Sequence, residues 1–160
     1  MSINAILAHD SKYGIGKDGK MPWPHNDADM KWFRECTMGH VVVMGRKTWE
    51  SIDNKKLPKR VNFVVSRSNI EGVPDCIYYG TMSHLIKLLK DKYPDLDIWF
   101  IGGSEIYRQA MPLCDNIYVT EFPGDYECDT FVDMKQYLTG YSKTDTKEES
   151  GLTFSIWRKL

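Results

Sequence analysis

The sequence predicts an α/β fold, a largely parallel sheet with helices on both faces. Short apolar runs rich in β-branched and aromatic residues recur along the chain, and segments of helical periodicity separate them. The runs are apolar throughout rather than alternating, as strands covered on both faces are. At 160 residues, 42% of them hydrophobic, the chain has material for one domain (residues 1–160) with a sizeable core.

Strands are expected at Ile3–Ala8, Val41–Met44, Val61–Ser66, Cys76–Tyr79, Ile98–Ile101 and Ile117–Thr120. Helices are expected at Asp29–Thr37, Lys47–Ile52, Ser83–Lys92 and Glu105–Met111. In the third helix Leu85, Leu88, Leu89 and Tyr93 fall on one stripe, with Lys87, Lys90 and Asp91 outside it. Between the first strand and the first helix, residues 14–20 carry three glycines and lead to Met21-Pro22-Trp23, which suits a mobile flap. The polar stretch Asp53–Lys59 reads as a loop. The tail alternates polar and charged residues over Tyr141–Glu149 and returns over Thr153–Lys159, as a closing antiparallel hairpin does. There is no internal repeat, linker or low-complexity segment.

A formal net charge of −1 gives no global field to recruit nucleic acid or an anionic membrane surface, although a local basic patch can still hold a small anion. No apolar run approaches the ~18 residues of a membrane span. The start MSINAILAHDSK lacks the basic and apolar regions of a secretory leader. The four cysteines form no C-x-x-C pair, so reduced thiols in a cytoplasmic protein are expected. The four histidines show no metal-ligand spacing, and no metal is expected.

In open α/β sheets, ligands bind beyond the carboxyl ends of the strands. After Val41–Met44 come Gly45, Arg46, Lys47 and Thr48, opening a helix. A glycine turn into a helix N-terminus offers free N–H groups and a positive dipole end to an anion. A triphosphate loop is excluded, because Gly39 and Gly45 flank a strand and Arg46 stands before Lys47. After Ile98–Ile101 come Gly102, Gly103, Ser104 and Glu105, a turn that brings backbone close to a ligand; Ile106 excludes the G-x-S-x-G elbow. Ser66 and Arg67 follow a third strand, and arginines after two different strands suit a terminal phosphate. Tight connections and solvated arginines are the plain alternatives for each of these.

Asp27 and Asp29 stand two apart at the mouth of the first helix. Helical phase puts Asp29 on a stripe with Met30, Phe33, Cys36 and Thr37, and Asp27 on the charged face with Lys31, Arg34 and Glu35. Asp27 is expected to cap the helix. Asp29 is expected to face inward, where a carboxylate needs a partner: structural, or a ligand with N–H donors.

An ordered set of motifs resembles dihydrofolate reductase over nearly the whole chain: I-x-A at Ile6 and Ala8, G-I-G at 14–16, M-P-W at 21–23, D-M-K-W-F at 29–33, V-M-G-R-K-T-W-E-S-I at 43–52, L-P-x-R at 57–60 and I-G-G-S-E-I-Y at 101–107. The resemblance implies a three-layer α/β fold, an eight-stranded mostly parallel sheet with an antiparallel C-terminal strand and about four helices. It implies reduction of 7,8-dihydrofolate by NADPH with protonation of N5, in the service of one-carbon metabolism and thymidylate synthesis. It further implies that Asp29 binds the pterin and assists the protonation, supported by Thr120. Ile6, Met30, Phe33, Ile52, Leu57 and Ile101 would line the substrate pocket, and Arg60 would grip the α-carboxylate of the folate glutamate. Ala8 and Ile15 would bind the carboxamide of the cofactor through backbone carbonyls, with Tyr107 near the nicotinamide. Gly16, Lys20, Met21 and Trp23 of the flap belong to the cofactor side. So do Gly45, Arg46, Lys47, Thr48, Ser66, Arg67, Gly102, Gly103, Ser104, Glu105 and Ile106. A cis Gly102–Gly103 peptide is implied as well, and antifolates, as folate analogues, would share the site. A monomer is expected.

Two alternatives differ in class. A riboflavin-pathway reductase of the same fold would share the Gly-Gly turn and the arginines but would not need M-P-W before a buried acid, nor L-P-x-R. A non-catalytic nucleotide-binding module would bind cofactor without turnover.

Overall fold

The computed structural model describes residues 1–160. Its main sheet grows outward from β1 (Ile3–His9), whose residues alternate between two apolar layers. Ile3, Ala5 and Leu7 join one buried cluster, and Ile6 joins the other. On one side of β1 lies β7 (Asn116–Glu121), in parallel, with Ala8 opposite Thr120. On the other side lies β6 (Ile98–Phe100), followed outward by β3 (Val41–Gly45), β4 (Val61–Val65) and the edge strand β5 (Cys76–Tyr78), all parallel. Beyond β7, β10 (Leu152–Lys159) and β9 (Tyr141–Glu149) run antiparallel as the expected hairpin and complete eight strands. A separate two-stranded ribbon pairs β2 (Gly14–Gly16) with β8 (Thr130–Phe131).

Helices α1 (Asp27–Thr37) and α2 (Arg46–Ser51) cover one face, where Trp32, Phe33 and Trp49 pack on Val42, Met44, Val64 and Trp99. Helices α3 (Met82–Lys92) and α4 (Ser104–Ala110) cover the other, packing on Val41, Val43, Phe63, Ile98 and Phe100. The three layers are those expected. A fifth helix, α5 (Met134–Tyr137), is a single turn and too short to show a period in sequence.

The apolar stripe of α3 differs from expectation. Met82, Leu85, Ile86 and Leu89 are buried, whereas Leu88 is 44% exposed. At 100° per residue Leu85, Leu89, Met82 and Ile86 fall on one arc of about 100°, and Leu88 lies outside it. All four cysteines are free thiols, and no helix is long and apolar enough to cross a membrane.

Candidate active site

Helix α1 starts two residues earlier than its periodicity suggests, and its cap is Asn26. The Asn26 side chain accepts from the backbone N–H groups of Ala28 and Asp29 at 3.0 and 3.2 Å. Asp27 is therefore not the cap. Its carboxylate is 98% exposed and lies 2.7 Å from His25 Nε2. Aspartate and asparagine both cap well, and the phase argument could not choose between neighbours. It did separate the two acids correctly: Asp29 is half-buried, and burial pushes its carboxyl above the usual range while the Thr120 hydroxyl pulls the other way. Thr120 is itself buried, between Ala8 and Phe154 in the sheet.

Beside this acid stands an unfinished apolar wall. Ile6 is buried in the cluster under α1 and α2, and Phe33, Ile52, Leu57 and Ile101 pack against it while staying partly open. Five of the six expected lining residues are thus brought together from β1, α1, the end of α2, the following loop and the end of β6. The sixth, Met30, is 48% exposed, so it belongs to the rim rather than to the packed stripe. At the far end Arg60 is already oriented: its Nε donates to the Pro58 carbonyl and its Nη1 to Thr37 Oγ1, both at 3.0 Å. Burial and the neighbouring Arg34 guanidinium lower the pKa of Arg60, so an anion there would be welcome. Arg34 is exposed, on the solvated face where helical phase puts it, and still stands close enough to Arg60 to act on its charge. Lys56, in the loop before Arg60, is turned to Asp75 at 3.2 Å.

The expected cofactor side has a different chemistry. Helices α1, α3 and α5 are capped by the side chains of Asn26, Thr81 and Asp133, but α2 and α4 begin on Gly45 and Gly103 with no side-chain cap. These two bare N-termini meet, since β3 and β6 are neighbours and the Gly45 N–H donates to the Gly102 carbonyl at 2.8 Å. A Cβ at Gly102, where φ is +120°, would lie 3.3 Å from Thr48 Oγ1 and from Tyr107 Oη. Only glycine leaves that cradle open. The Gly102–Gly103 peptide is cis. Free helix-end N–H groups, with exposed Arg46 and Lys47 in the first turn of α2, fit the pyrophosphate of a dinucleotide. Arg67, exposed after β4, lies 5.6 Å from the Tyr79 ring and is free to meet a further phosphate. Tyr107 is buried and its hydroxyl donates to the Ile6 carbonyl at 2.7 Å, which ties the two halves of the site.

Several expected contacts are otherwise engaged or lie apart. Ser66 Oγ donates to the Ser68 carbonyl at 2.8 Å, building the turn that carries Arg67. Ser104 is the half-buried first residue of α4, and Ile106 is a core residue under the cradle. Glu105 is exposed and paired with Arg108 and Gln109. In the flap, Ile15 and Gly16 are half-buried in the β2–β8 ribbon, whereas Lys20 and Met21 face solvent, Met21 at 58%. Trp23 is buried, stacked on Phe122 at 4.5 Å.

The profile of the family described as "Dihydrofolate reductase" matches residues 2–159. A dihydrofolate reductase of Haemophilus influenzae is 40% identical over 133 residues, covering 82% of this chain and 78% of that protein. A bifunctional dihydrofolate reductase-thymidylate synthase of Daucus carota is 38% identical over 150 residues, covering 83% of this chain. The chain spans 28% of the length of that bifunctional relative and 33% of one from Glycine max. A solved dihydrofolate reductase from Enterococcus faecalis, complexed with NADP(H) and RAB-propyl, is similar with a TM-score of 0.83 and 27% identity, covering 99% of this chain and 96% of that one.

Proposed function

The chain belongs to the dihydrofolate reductase family, and on that premise we propose that it reduces 7,8-dihydrofolate to 5,6,7,8-tetrahydrofolate at the expense of NADPH. The observation that carries this reading is one half-buried acid, Asp29, beside an apolar wall that ends at a cation pair. Pterin, benzoyl and glutamate parts of a folate need those three environments in that order.

NADPH supplies the hydride. The protein binds, orients and handles one proton. Ile6, Phe33, Ile52, Leu57 and Ile101 offer flat apolar surface that holds a planar ring and excludes water. Asp29 accepts the amino and ring N–H donors of the pterin, which supply the partner its half-buried carboxylate needs. A carboxyl raised by burial retains a proton closer to neutral pH, so it assists protonation of N5 in a site without a second acid. Thr120 steadies the ionised form from behind. Arg60, with Arg34 beside it, receives the folate glutamate carboxylate. The paired ends of α2 and α4 receive the cofactor pyrophosphate, and Arg67 the 2′-phosphate. Ala8 and Ile15 offer backbone carbonyls to the carboxamide.

The chain acts as a single domain and a monomer, in the cytoplasm, where its four free thiols stay reduced. Folate analogues compete for the Asp29 pocket. The direct test follows the loss of NADPH absorbance on adding dihydrofolate and its arrest by methotrexate. Absence of NADPH oxidation would overturn the reading.

A further inference from the structure

Asp10 carries a carboxylate that none of the proposed chemistry uses. It is fully buried directly after β1. Its Oδ1 accepts from the N–H groups of Lys12 and Gly14 at 2.9 and 2.8 Å, closing the turn at the root of the flap. An asparagine or serine there would do that much. The other oxygen reaches across the chain: Oδ2 accepts from the Tyr126 N–H at 3.0 Å and from Cys128 Sγ at 3.5 Å. Burial raises the Cys128 thiol to about 11, which keeps it a donor. The same junction is closely packed, since a Cβ at Gly14 would stand 2.4 Å from the Cβ of Cys128.

Residues 122–129 hold both ends of the flap. At its root they meet Asp10, and Ser11 donates its N–H and hydroxyl to the Gly124 carbonyl at 3.0 and 2.7 Å. At its far end Trp23 stacks on Phe122, and the Tyr126 ring stands edge-on to Trp23 at 5.8 Å. Trp23 shares its buried cluster with Ala28, the residue before Asp29. Tyr126 is the common element: its N–H is fixed by Asp10 and its ring seats Trp23. In the middle, Asp129 accepts from the Asp18 N–H at 2.9 Å, but that pair is exposed to water and therefore weaker than the buried one.

We propose that Asp10 is a positioning residue for the reduction: through Tyr126 it fixes where Trp23, the closing end of the flap, rests beside the helix that carries Asp29. The proposal rests on the functional reading above. It assigns the full charge of Asp10 to the link between the two loops rather than to the turn. Asp10→Asn isolates that link, because the amide oxygen can keep Lys12 and Gly14 while its NH2 meets two donors.

The test uses the full chain as wild type, Asp10→Asn and Tyr126→Leu; the last leaves every Asp10 bond in place and removes only the ring under Trp23. Amide exchange should accelerate about tenfold over residues 14–23 in both variants and stay unchanged over α3. The kcat should fall about tenfold with the dihydrofolate KM within about threefold, and the isotope effect with 4-deuterated NADPH should rise as hydride transfer becomes limiting. Exchange that accelerates evenly along the chain would overturn the proposal, as would an unchanged isotope effect beside a merely lower melting temperature. If Asp10→Asn does not fold, Tyr126→Leu decides alone by the same readouts. An inactive wild type would refute the reduction, and the exchange pattern would still decide whether Asp10 holds the flap.

Discussion

Replacing Asp29 by asparagine keeps the shape of the side chain and removes its proton and charge. A positioned general acid contributes roughly 10²- to 10⁴-fold, or about 3 to 5 kcal/mol of barrier. Asp29 is the one acid at the apolar wall, so kcat/KM for dihydrofolate at pH 7 should fall within that range. The pH profile should change shape as well. Without the acid the proton must arrive with the substrate, and activity should climb roughly tenfold per unit as pH falls. Stability should move the opposite way. The folded-state pKa of Asp29 is raised by burial against Thr120, so the folded chain keeps this proton over a range where the unfolded chain has released it. Stability is therefore lost as pH rises from the ordinary carboxylate value of 3.8 through the raised one. Asparagine carries no such loss, so the variant should unfold at higher urea than wild type at pH 7, with the gain vanishing in acid below that window. Stopped-flow hydride transfer and urea titrations at both pH values are the assays. A loss under tenfold at pH 7, or a flat acid limb, would refute the role of Asp29; a variant less stable at pH 7 would refute the cost assigned to its charge.

Asp27→Asn should leave kcat/KM within about twofold, since its exposed carboxylate touches only His25, whereas Asn26→Ala should cost about 1 kcal/mol in chemical denaturation with the loss of the cap. Tyr107→Phe should destabilise by about 1–3 kcal/mol, because the Ile6 carbonyl loses a buried donor; a cost below 0.5 or so would mean that water replaces it. Arg67→Ala should raise the KM for NADPH far more than that for NADH, and equal effects would remove the 2′-phosphate from this arginine. Arg34→Ala should raise the dihydrofolate KM with little change in kcat, and an unaltered KM would return Arg34 to the solvated face.

The parallel sheet was legible because buried strands declare themselves by apolar runs, unbroken in Val41–Met44 and interrupted only by Asn62 in Val61–Val65. The details that differ have two causes. Leu88 and the place of Met30 on an inward stripe follow from helical phase, which does not say where a neighbouring layer stops, and residue type does not choose between Asn26 and Asp27 as the cap of α1. The short pieces, β2, β8 and α5, gain their order from tertiary contacts and not from their own pattern.

The site shows the same division. Placements set by a residue's own element could be read: Asp29 on the half-buried side of α1 from its phase, and the helix starts on Gly45 and Gly103 from the strand-to-helix turns. The neighbours of Arg34 and Asp10 could not, because each lies far away in sequence, Arg60 in one case and Tyr126 in the other. A charge on a wet helix face and an acid in a turn are ordinary features until the fold supplies the partner. Neither position has a local signal that would distinguish it from its neighbours. A carboxylate that reaches a backbone N–H 116 residues away carries information only the fold contains, and for that reason the flap rather than the Asp29 pocket is the part of this chain least visible in its sequence.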